Sequence, residues 1–403
     1  MKVLFVNKFF FPNGGSETVF FQEREFLMKH GHHVMDFSMQ HPNNLPSEYS
    51  KYFVSNVDYH EKKHTFFDKS KAALKFVHNQ EAIRNISKLL SIEKPQIAHL
   101  HNIYHQITPA VIPVLKKAGV KVILTLHDYK LICPSYYLLC DETMCKACVG
   151  KHFYRAALRR CQNGSLSAGV LLAAEAYWHS FFRNYEMVDL FLAPSHFIAN
   201  IMARYRINKR KIVVLHNGID TTKYQLSGVD KDYIIYFGRI AKVKGINTLL
   251  SAYKGLKSKL PLRIVGAGPY KDKLQTQHPD IEFTGYCSGN KLKQLISEAS
   301  FSIVPSEWYE NCSMSVLESM AYGKPVVGSN IGGIPEQIAD GRSGFLFEQG
   351  NAADLEKKMI RLIQESKLRR DMGQAGRRII EKKYSLIEHC NTLTGIYKQL
   401  INQ

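Results

Sequence analysis

Short apolar runs alternate with helical patterns of apolar residues along most of the chain. Short continuous apolar runs of this kind are typical of buried strands. The alternation of strand and helix patterns indicates an α/β protein whose parallel sheets are covered by helices. The pattern predicts strands at 2–6, 34–39, 97–100, 120–126, 188–193, 213–215, 233–237, 262–265, 281–284, 301–304 and 325–328.

The strand series has an interruption after residue 215, where a polar stretch with two glycines covers 217–232. A chain of 403 residues is long for one domain, so two domains are the natural expectation. Both series open on a strand and a glycine-containing loop, as nucleotide-binding α/β domains do. We predict an N-terminal Rossmann-like domain at 1–216, a C-terminal one at 217–385 and a last helix at 386–403.

Composition narrows the class of protein. The content of 45% apolar and 22% charged residues excludes a disordered chain. No apolar run is long enough to cross a bilayer, and the N-terminus lacks the pattern of a signal peptide, so we expect a cytoplasmic protein. The longest apolar candidate, 169–178, is too short and contains Glu175.

The net charge of +19 fits nucleic acid, anionic lipid or acidic substrates as partners. No zinc finger or RNA-binding sequence is found, so nucleic acid is not an expected partner. Basic residues cluster at 62–75, 146–160 and 204–211. The first cluster is interleaved with apolar residues and fits a protein that lies on the inner face of an anionic membrane. A solvated helix face is the equally open alternative.

The segment 306–327 carries the most specific chemistry. Glu310 lies in a polar loop, and 313–322 reads as a helix that ends before Gly323. Glu318 then lies more than one turn inside the helix. The N–H groups at the helix start, at Cys312, Ser313 and Met314, form a site for phosphate between the two carboxylates. A nucleotide-sugar has this order of groups: sugar, diphosphate, ribose.

The E-x7-E spacing, the following A-x-G-x-P-V-V and the sequence GGIPE at 332–336 resemble the retaining glycosyltransferases of family 4. The resemblance implies the GT-B fold, in which two Rossmann-like domains face a central cleft and the last helix crosses back to the first domain. It assigns the donor sugar to Glu310 and the ribose to Glu318. Two surface glutamates on an ordinary α/β loop are the alternative.

Other predicted strands end in residues that suit a nucleotide-sugar. Arg239 and Lys244 follow a strand end, where two cations neutralise a diphosphate as it leaves. Two solvated basic residues are the alternative interpretation. No D-x-D set at a strand end indicates a divalent ion, so we expect none in catalysis.

Histidines follow two of the N-terminal strands. His127 comes directly after the apolar run 122–126, and the resemblance implies that it contacts the donor sugar. A lone histidine is more often structural, and this alternative stays open. His101 and Asn102 end the preceding strand and are expected on the acceptor side.

These expectations define a candidate site. The glycines allow close backbone approach, and Tyr286 is where the family holds the base. The site consists of catalytic residues Glu310, His127, Arg239 and Lys244, donor-binding residues Gly14, Gly15, Gly266, Gly268, Gly285, Tyr286, Asn311, Cys312, Ser313, Met314 and Glu318, and acceptor-side residues His101 and Asn102.

Five of the eight cysteines lie in one insertion at about 133–161. The spacing of Cys133, Cys145, Cys148 and Cys161 is compatible with a structural zinc site, and Cys140 is able to replace one of the outer ligands. Reduced, buried cysteines are the alternative. Capsule- and O-antigen-type bacterial members of the family carry a similar cysteine-rich insertion.

The expected activity is that of a retaining hexosyltransferase. It moves a sugar from a UDP- or GDP-sugar to a hydroxyl of a lipid-linked acceptor or growing surface polysaccharide. The alternatives are a nucleotide-sugar epimerase or hydrolase on the same fold, which consumes the donor without an acceptor, and a non-catalytic nucleotide-sugar-binding protein.

Overall fold

The computed structural model describes residues 1–57, 66–226, 228–257 and 260–403, with side chains from residue 71 onward in the helix that begins at Phe66. Part of the predicted basic segment 62–75 therefore lies outside the described residues. The chain forms two compact units. Unit 1 comprises Met1–Pro194, Ile198–Leu215 and Cys390–Gln403, and unit 2 comprises Ser195–Phe197 and His216–His389.

The strands within the described ranges are, in chain order, β1 (Lys2–Val6), β2 (His33–Phe37), β3 (Ile97–Leu100), β4 (Lys121–Thr125), β5 (Leu139–Cys140), β6 (Thr143–Met144), β7 (Leu190–Ala193), β8 (Ile212–Val214), β9 (Ile234–Phe237), β10 (Leu262–Val265), β11 (Glu282–Gly285), β12 (Phe301–Val304), β13 (Val326–Ser329) and β14 (Gly344–Phe347). The α-helices are α1 (Gly15–Lys29), α2 (Phe66–Val77), α3 (Gln80–Glu93), α4 (Val111–Lys117), α5 (Arg155–Leu158), α6 (Leu166–Phe181), α7 (His196–Tyr205), α8 (Ile246–Gly255), α9 (Lys271–Gln277), α10 (Gly289–Ser297), α11 (Met314–Ala321), α12 (Ile334–Gln337), α13 (Ala352–Gln364), α14 (Ser366–Lys383) and α15 (Leu386–Ile401). None of these described helices combines enough length and apolarity to span a bilayer.

Unit 1 is built on a parallel sheet with the strand order β2-β1-β3-β4-β7-β8. Its strands are nearly continuous in apolar residues because helices cover both faces of the sheet. The core contains Phe5 and Ile123 from the sheet together with Leu393 and Tyr397 from α15. The buried Tyr397 hydroxyl lies 2.6 Å from Nδ1 of His99. The end of the chain is therefore part of the unit 1 core.

Unit 2 repeats the design with the order β11-β10-β9-β12-β13-β14, again parallel throughout. In each sheet the chain order reverses beside the first strand of the unit, so loops diverge there at the carboxyl ends of the strands. This edge is where open α/β sheets bind ligands. The predicted α/β fold with two Rossmann-like domains is confirmed.

The sequence pattern located strands better than helices. Predicted strand limits agree with the structure within one or two residues, but β5, β6 and β14 were not predicted. The helix α3 was missed because 41–95 lacks a recognisable motif, although the Asn79 side chain caps this helix by accepting from the Glu81 and Ala82 amides. The run 169–178, considered only as a possible membrane span, belongs to α6.

Loops at the carboxyl edge of the unit 2 sheet are joined by backbone hydrogen bonds. Gly238 N donates to Val265 O over 3.0 Å, and Gly266 N donates to Gly285 O over 2.8 Å. A Cβ on Gly266 would lie 1.9 Å from Gly238 O, and one on Gly268 would lie 2.1 Å from the carbonyl oxygen of Ile240. Both glycines are predicted donor-binding residues, and the neighbouring loop already requires glycine at these positions.

Replacing Gly266 with alanine tests this loop contact. Gly266 has φ +148°, so Gly266→Ala combines backbone strain with a clash against a fixed carbonyl. We expect a loss of about 3 kcal/mol or more in the free energy of unfolding, measured by urea denaturation. Gly350 is the matched control, because it has φ +73° and a Cβ added there would have nothing within 4 Å, and Gly350→Ala should lose about 1 kcal/mol. Equal losses in the two variants would contradict the account.

Candidate active site

In unit 1, the loops after β1 and β3 share one hydrogen-bonded network. The side chain of Asn7 donates to Glu17 Oε1 over 3.2 Å and accepts from the Asn102 amide over 3.0 Å. Asn102 Nδ2 in turn donates to Ser16 Oγ over 3.1 Å. Because α1 begins at Gly15, this network joins the predicted donor loop to the predicted acceptor-side Asn102. Asn7 and Glu17 were not among the predicted site residues.

His101 and His127 are also brought together. Nδ1 of His101 and Nε2 of His127 lie 2.8 Å apart, so one imidazole donates to the other. The carboxylate of Glu23, buried in α1, lies 3.6 Å from Nε2 of His101 and 3.3 Å from Nδ1 of His99. Glu23 was missed because a single acidic residue in a helix normally faces solvent. Only the sheet packing shows that it faces the histidines.

Burial sets the charge of this cluster. It lowers the pKa of His127 to about 4, an effect that the Glu23 carboxylate opposes and His99 increases. Burial also raises the pKa of Asp128 to about 6, with Lys8 acting in the opposite direction. His127 is therefore neutral at pH 7 and offers an imidazole that donates or accepts a hydrogen bond without adding charge.

In unit 2, Glu310 is held through one oxygen. Its Oε1 accepts from Lys244 Nζ over 2.6 Å, from Ser306 Oγ over 2.8 Å and from Trp308 Nε1 over 2.8 Å. Among the described residues no hydrogen bond reaches Oε2. Burial alone would raise the pKa of Glu310, but Lys244 and the other two donors outweigh it and lower that pKa. The carboxylate therefore stays ionised and keeps one oxygen for a ligand.

The backbone around Glu310 is fixed by the two glycines of GGIPE. Gly333 N donates to Glu310 O over 2.7 Å. A Cβ on Gly332 would lie 2.5 Å from Glu310 O, and one on Gly333 would lie 2.0 Å from Asn311 O. Side chains at either position would push the loop away. The motif therefore positions Glu310 without contacting its carboxylate.

The predicted phosphate site at the start of α11 needs one correction. The Ser313 amide donates to Gln337 Oε1 over 2.9 Å, so it is not available to a phosphate. Ser313 is the N-cap, and the amides without a helical acceptor begin at Met314. Burial raises the pKa of Cys312 to about 12, which keeps its thiol neutral beside this helix start.

Other predicted residues lie at the same carboxyl edge. Arg239 follows β9 and is exposed, while its carbonyl accepts from the Tyr236 hydroxyl over 2.7 Å. Tyr286 follows β11 and is largely exposed, after a Gly285 with φ +72°. Burial raises the pKa of Glu318, inside α11, to about 7. The structure thus gathers these residues on one edge, where Lys244 and Glu310 form an ion pair.

The cysteine insertion is partly assembled. Cys133 is paired with Ser135 Oγ at 3.3 Å. Cys140 lies in β5 of the short β5–β6 hairpin. Its Sγ donates to the carbonyl oxygen of Arg159 over 3.5 Å. Burial, followed by the adjacent Cys140 thiol, raises the pKa of Cys161 to about 12. The thiol neighbouring Cys161 is thus that of Cys140.

Among the described residues, ligand atoms within 4.8 Å of one another occur in two groups, Glu23–His99–His101 and His196–His216–Glu336. No set of three cysteines meets that distance in the same part of the chain. The carboxylate of Glu336 already accepts from the His196 and Phe197 amides over 2.8 and 2.6 Å. The zinc assignment to Cys133, Cys145, Cys148 and Cys161 therefore stays a prediction.

Solved structures share the fold over nearly all of the chain. A glycosyltransferase from Rickettsia africae ESF-5 superposes with a TM-score of 0.70 at 17% identity, covering 99% of this chain and 98% of that one. Anabaena HepE in complex with UDP and glucose has a TM-score of 0.69 at 16% identity, covering 99% and 100%. At such identities the likeness shows the fold alone, which is that of GT-B proteins.

Curated relatives match part of the chain. Sulfoquinovosyl transferase SQD2 of Arabidopsis thaliana is 36% identical over 162 residues, which are 38% of this chain and 31% of the relative. The glycosyltransferase CapM of capsular polysaccharide biosynthesis in Staphylococcus aureus is 27% identical over 222 residues, 48% of this chain and 57% of the relative. An uncharacterized glycosyltransferase of Methanocaldococcus jannaschii, MJ1178, is 28% identical over 197 residues, 48% and 55%. The chain spans about half the length, or less, of these curated relatives.

Two family models match consecutive parts of the sequence. The model described as Glycosyl transferases group 1 matches residues 221–379, which include the loop of Glu310 and the helix α11. The model described as Glycosyltransferase Family 4 matches residues 13–223, just over half of the chain. The chain therefore belongs to Glycosyltransferase Family 4.

Proposed function

We propose that this protein transfers a sugar from a nucleotide diphosphate sugar to a hydroxyl acceptor, with retention of the anomeric configuration. The observation that carries the proposal is the geometry of Glu310. Its carboxylate is ionised, is held through Oε1 and has Oε2 available within a strand-end loop. Such a fixed acceptor suits the hydroxyls of a donor sugar. Solved structures of HepE with UDP and with UDP-glucose support a nucleotide-sugar as the ligand class.

The reaction needs charge stabilisation more than a nucleophile. As the bond between sugar and phosphate breaks, negative charge grows on the diphosphate. Arg239, Lys244 and the amides at the start of α11 supply positive potential for it without a divalent ion. The departing phosphate then takes the proton of the attacking hydroxyl on the same face of the sugar. His127, neutral at pH 7, serves as a hydrogen-bond partner for a sugar hydroxyl.

The acceptor we propose is a lipid-linked or growing surface saccharide. Support comes from relatives named for capsular polysaccharide and colanic acid biosynthesis, CapM and the putative glycosyltransferase WcaL of Escherichia coli. The basic charge of the chain fits work on the inner face of an anionic membrane. The location in the cytoplasm belongs to the same proposal.

Removing the charge of Glu310 tests the catalytic role. Glu310→Gln keeps the shape but donates an N–H, so we expect kcat to fall by about 10² to 10³. The assay measures nucleoside diphosphate released from UDP-glucose, UDP-N-acetylglucosamine and GDP-mannose, with polyprenyl-linked and alkyl glycosides as acceptors. Release without any acceptor would favour the hydrolase or epimerase alternative.

Glu307→Gln is the matched control, because Glu307 lies in the same loop and accepts from Thr248 Oγ1 over 2.6 Å. This variant should keep most of its kcat. If both variants lost activity equally, the loop fold, rather than the Glu310 charge, would be responsible. Unchanged turnover in Glu310→Gln would overturn the assignment.

Glu318 predicts a dependence of nucleotide binding on pH. Burial raises its pKa to about 7, and only the ionised carboxylate accepts hydrogen bonds through both oxygens from ribose hydroxyls. The affinity for UDP or GDP should therefore increase by roughly tenfold between pH 6 and pH 8, measured by calorimetry. The affinity of Glu318→Gln should change with pH only as far as protonation of the ligand phosphate changes it. An identical pH profile in both proteins would exclude this role.

The same residue gives a stability signature. Its folded pKa lies above the usual 4.5, so the folded protein holds an extra proton between about pH 4.5 and pH 7, and loses stability as the pH rises through that window. Glu318→Gln should thus be more stable than the wild type at pH 8 and nearly equal to it at pH 4. This comparison also shows whether the variant folds.

We also propose that the cysteine insertion holds one structural zinc ion. The proximity of Cys140 to Cys161 supports Cys140 as an outer ligand in place of Cys133. The four ligands would then be Cys140, Cys145, Cys148 and Cys161. Metal analysis by mass spectrometry should find one zinc per chain, lost in Cys148→Ser and kept in Cys390→Ser. Cys140→Ser and Cys133→Ser then identify the outer ligand. Protein purified without a chelator that contains no zinc would contradict the proposal.

A further inference from the structure

The helix α6 differs from an ordinary surface helix, because it buries charged or polar side chains and exposes large apolar ones. Its acidic residue, Glu175, and its histidine, His179, are each only 1% exposed. The carboxylate of Glu175 accepts from Lys130 Nζ, and Nδ1 of His179 lies 2.8 Å from Asn184 Nδ2. Glu175 and His179 therefore face the protein interior, and each makes at least one polar contact there.

Large apolar side chains of α6 face outward instead. They follow one another at helical spacing, so they form a stripe along one side of the helix. The most exposed is Phe181 at 80%, and the stripe consists of Leu166, Val170, Tyr177, Trp178 and Phe181. Exposing so much contiguous apolar surface is unusual in a protein that works alone in water.

The neighbouring helix α5 extends this surface. The two helices are in close contact, since a Cβ on Gly169 would lie 2.6 Å from Ala156 O. Leu158 of α5 is 71% exposed, and the Tyr177 hydroxyl accepts from the Tyr154 amide over 3.3 Å. We call the outward stripe of α6 together with Leu158 the α6 face.

The segment that leads into α6 carries mainly basic residues. Residues 143–174 include five basic residues and no acidic one, and these are Lys146, Lys151, Arg155, Arg159 and Arg160. Lys151, Arg159 and Arg160 are exposed, and Arg155 is half-buried. Arg183 lies just beyond the other end of α6 and is paired with Glu186 at 2.5 Å. An apolar face beside a basic segment attracts an anionic, apolar partner.

We propose that the α6 face docks onto an anionic lipid bilayer. Leu158, Val170 and Phe181 enter the boundary between headgroups and acyl chains, Tyr177 and Trp178 lie at the headgroup level, and the arginines after Leu158 bind anionic headgroups. This inference deepens the proposed function, on which it rests, by locating the surface that faces a lipid-linked acceptor. It places the main contact on α6 rather than on the segment 62–75.

A second copy of the chain suits this face less well. In a symmetric dimer the same patch meets itself, so the basic segments of two chains with a net charge of +19 would lie close together. A bilayer containing anionic lipids compensates that charge, and Tyr and Trp are the side chains that favour its interface.

Vesicle binding tests the proposal. Co-sedimentation compares vesicles of phosphatidylcholine alone with vesicles that also contain phosphatidylglycerol. We expect binding to the mixed vesicles, weaker binding to the neutral ones, and a loss of tenfold or more in the partition constant for the double variant Val170→Ser, Phe181→Ser. Arg159→Gln with Arg160→Gln should weaken binding to the anionic vesicles alone.

Ile92→Ser is the matched control, because Ile92 is 62% exposed on α3 of the same unit and is not one of the residues of the α6 face. It should bind vesicles like the wild type. All substituted side chains are exposed, so we expect the thermal midpoints of the variants to equal that of the wild type. Equal midpoints would exclude a folding defect as the cause of weaker vesicle binding. Unaltered vesicle binding of the double variant, or equal binding to neutral vesicles, would overturn the proposal.

Light scattering and nucleotide binding separate the remaining outcomes. If the wild type dimerises, the double variant is monomeric and vesicle binding is unchanged, the α6 face is a contact between copies and the lipid proposal fails. A thermal shift with UDP or GDP reports on the proposed function independently. Vesicle binding without any nucleotide shift would leave the docking surface standing and reject the transferase.

Discussion

The proposed site depends on one half-buried ion pair, between Glu310 and Lys244. A carboxylate removed from water normally takes up a proton, because burial penalises its charge. Here the ammonium group at 2.6 Å and two further donors keep it ionised, and all three bind the same oxygen. The protein thereby maintains a fixed negative acceptor at the edge of the unit 2 sheet, where a neutral acid would alternate between donating and accepting.

The surrounding structure is arranged to hold that pair. Gly332 and Gly333 allow the GGIPE segment to pack against the backbone of residues 310 and 311. Hydrogen bonds between the loops after β9, β10 and β11 fix the edge on which Arg239 lies. Unit 1 follows the same principle with a different group, since Glu23 and His101 fix the neutral His127 within a buried cluster. In both units, rigid strand ends carry the chemistry and backbone contacts set its position.

Much of this arrangement could be predicted from the sequence. The apolar runs located the strands, because burial on both faces leaves a continuous signal in the chain. The segment 313–322 was predicted to be a helix that ends before Gly323, and α11 spans Met314–Ala321, within one residue of both predicted limits. The partners of individual backbone groups could not be predicted. The Ser313 amide donates to Gln337, which is 24 residues away, and no sequence pattern indicates such a partner.

Glu23 and α6 also show that a sequence pattern alone does not determine which side of a helix is buried. An acidic residue within a helix predicts exposure, and an apolar run predicts burial, yet Glu23 and Glu175 are buried while Phe181 is exposed. Both inversions depend on which side of a helix meets the sheet, a property of tertiary packing. They also mark the places where the chain departs from the requirements of folding alone, which is where function is expected.

A crystal structure of the protein with a bound nucleotide-sugar tests the central claim most directly. In that structure, we expect Oε2 of Glu310 to lie within about 3 Å of a sugar hydroxyl. Arg239 and the amides from Met314 onward should face the diphosphate, while Oε1 keeps its bond to Lys244. A diphosphate bound elsewhere, or a Glu310 carboxylate turned away from the sugar, would contradict it.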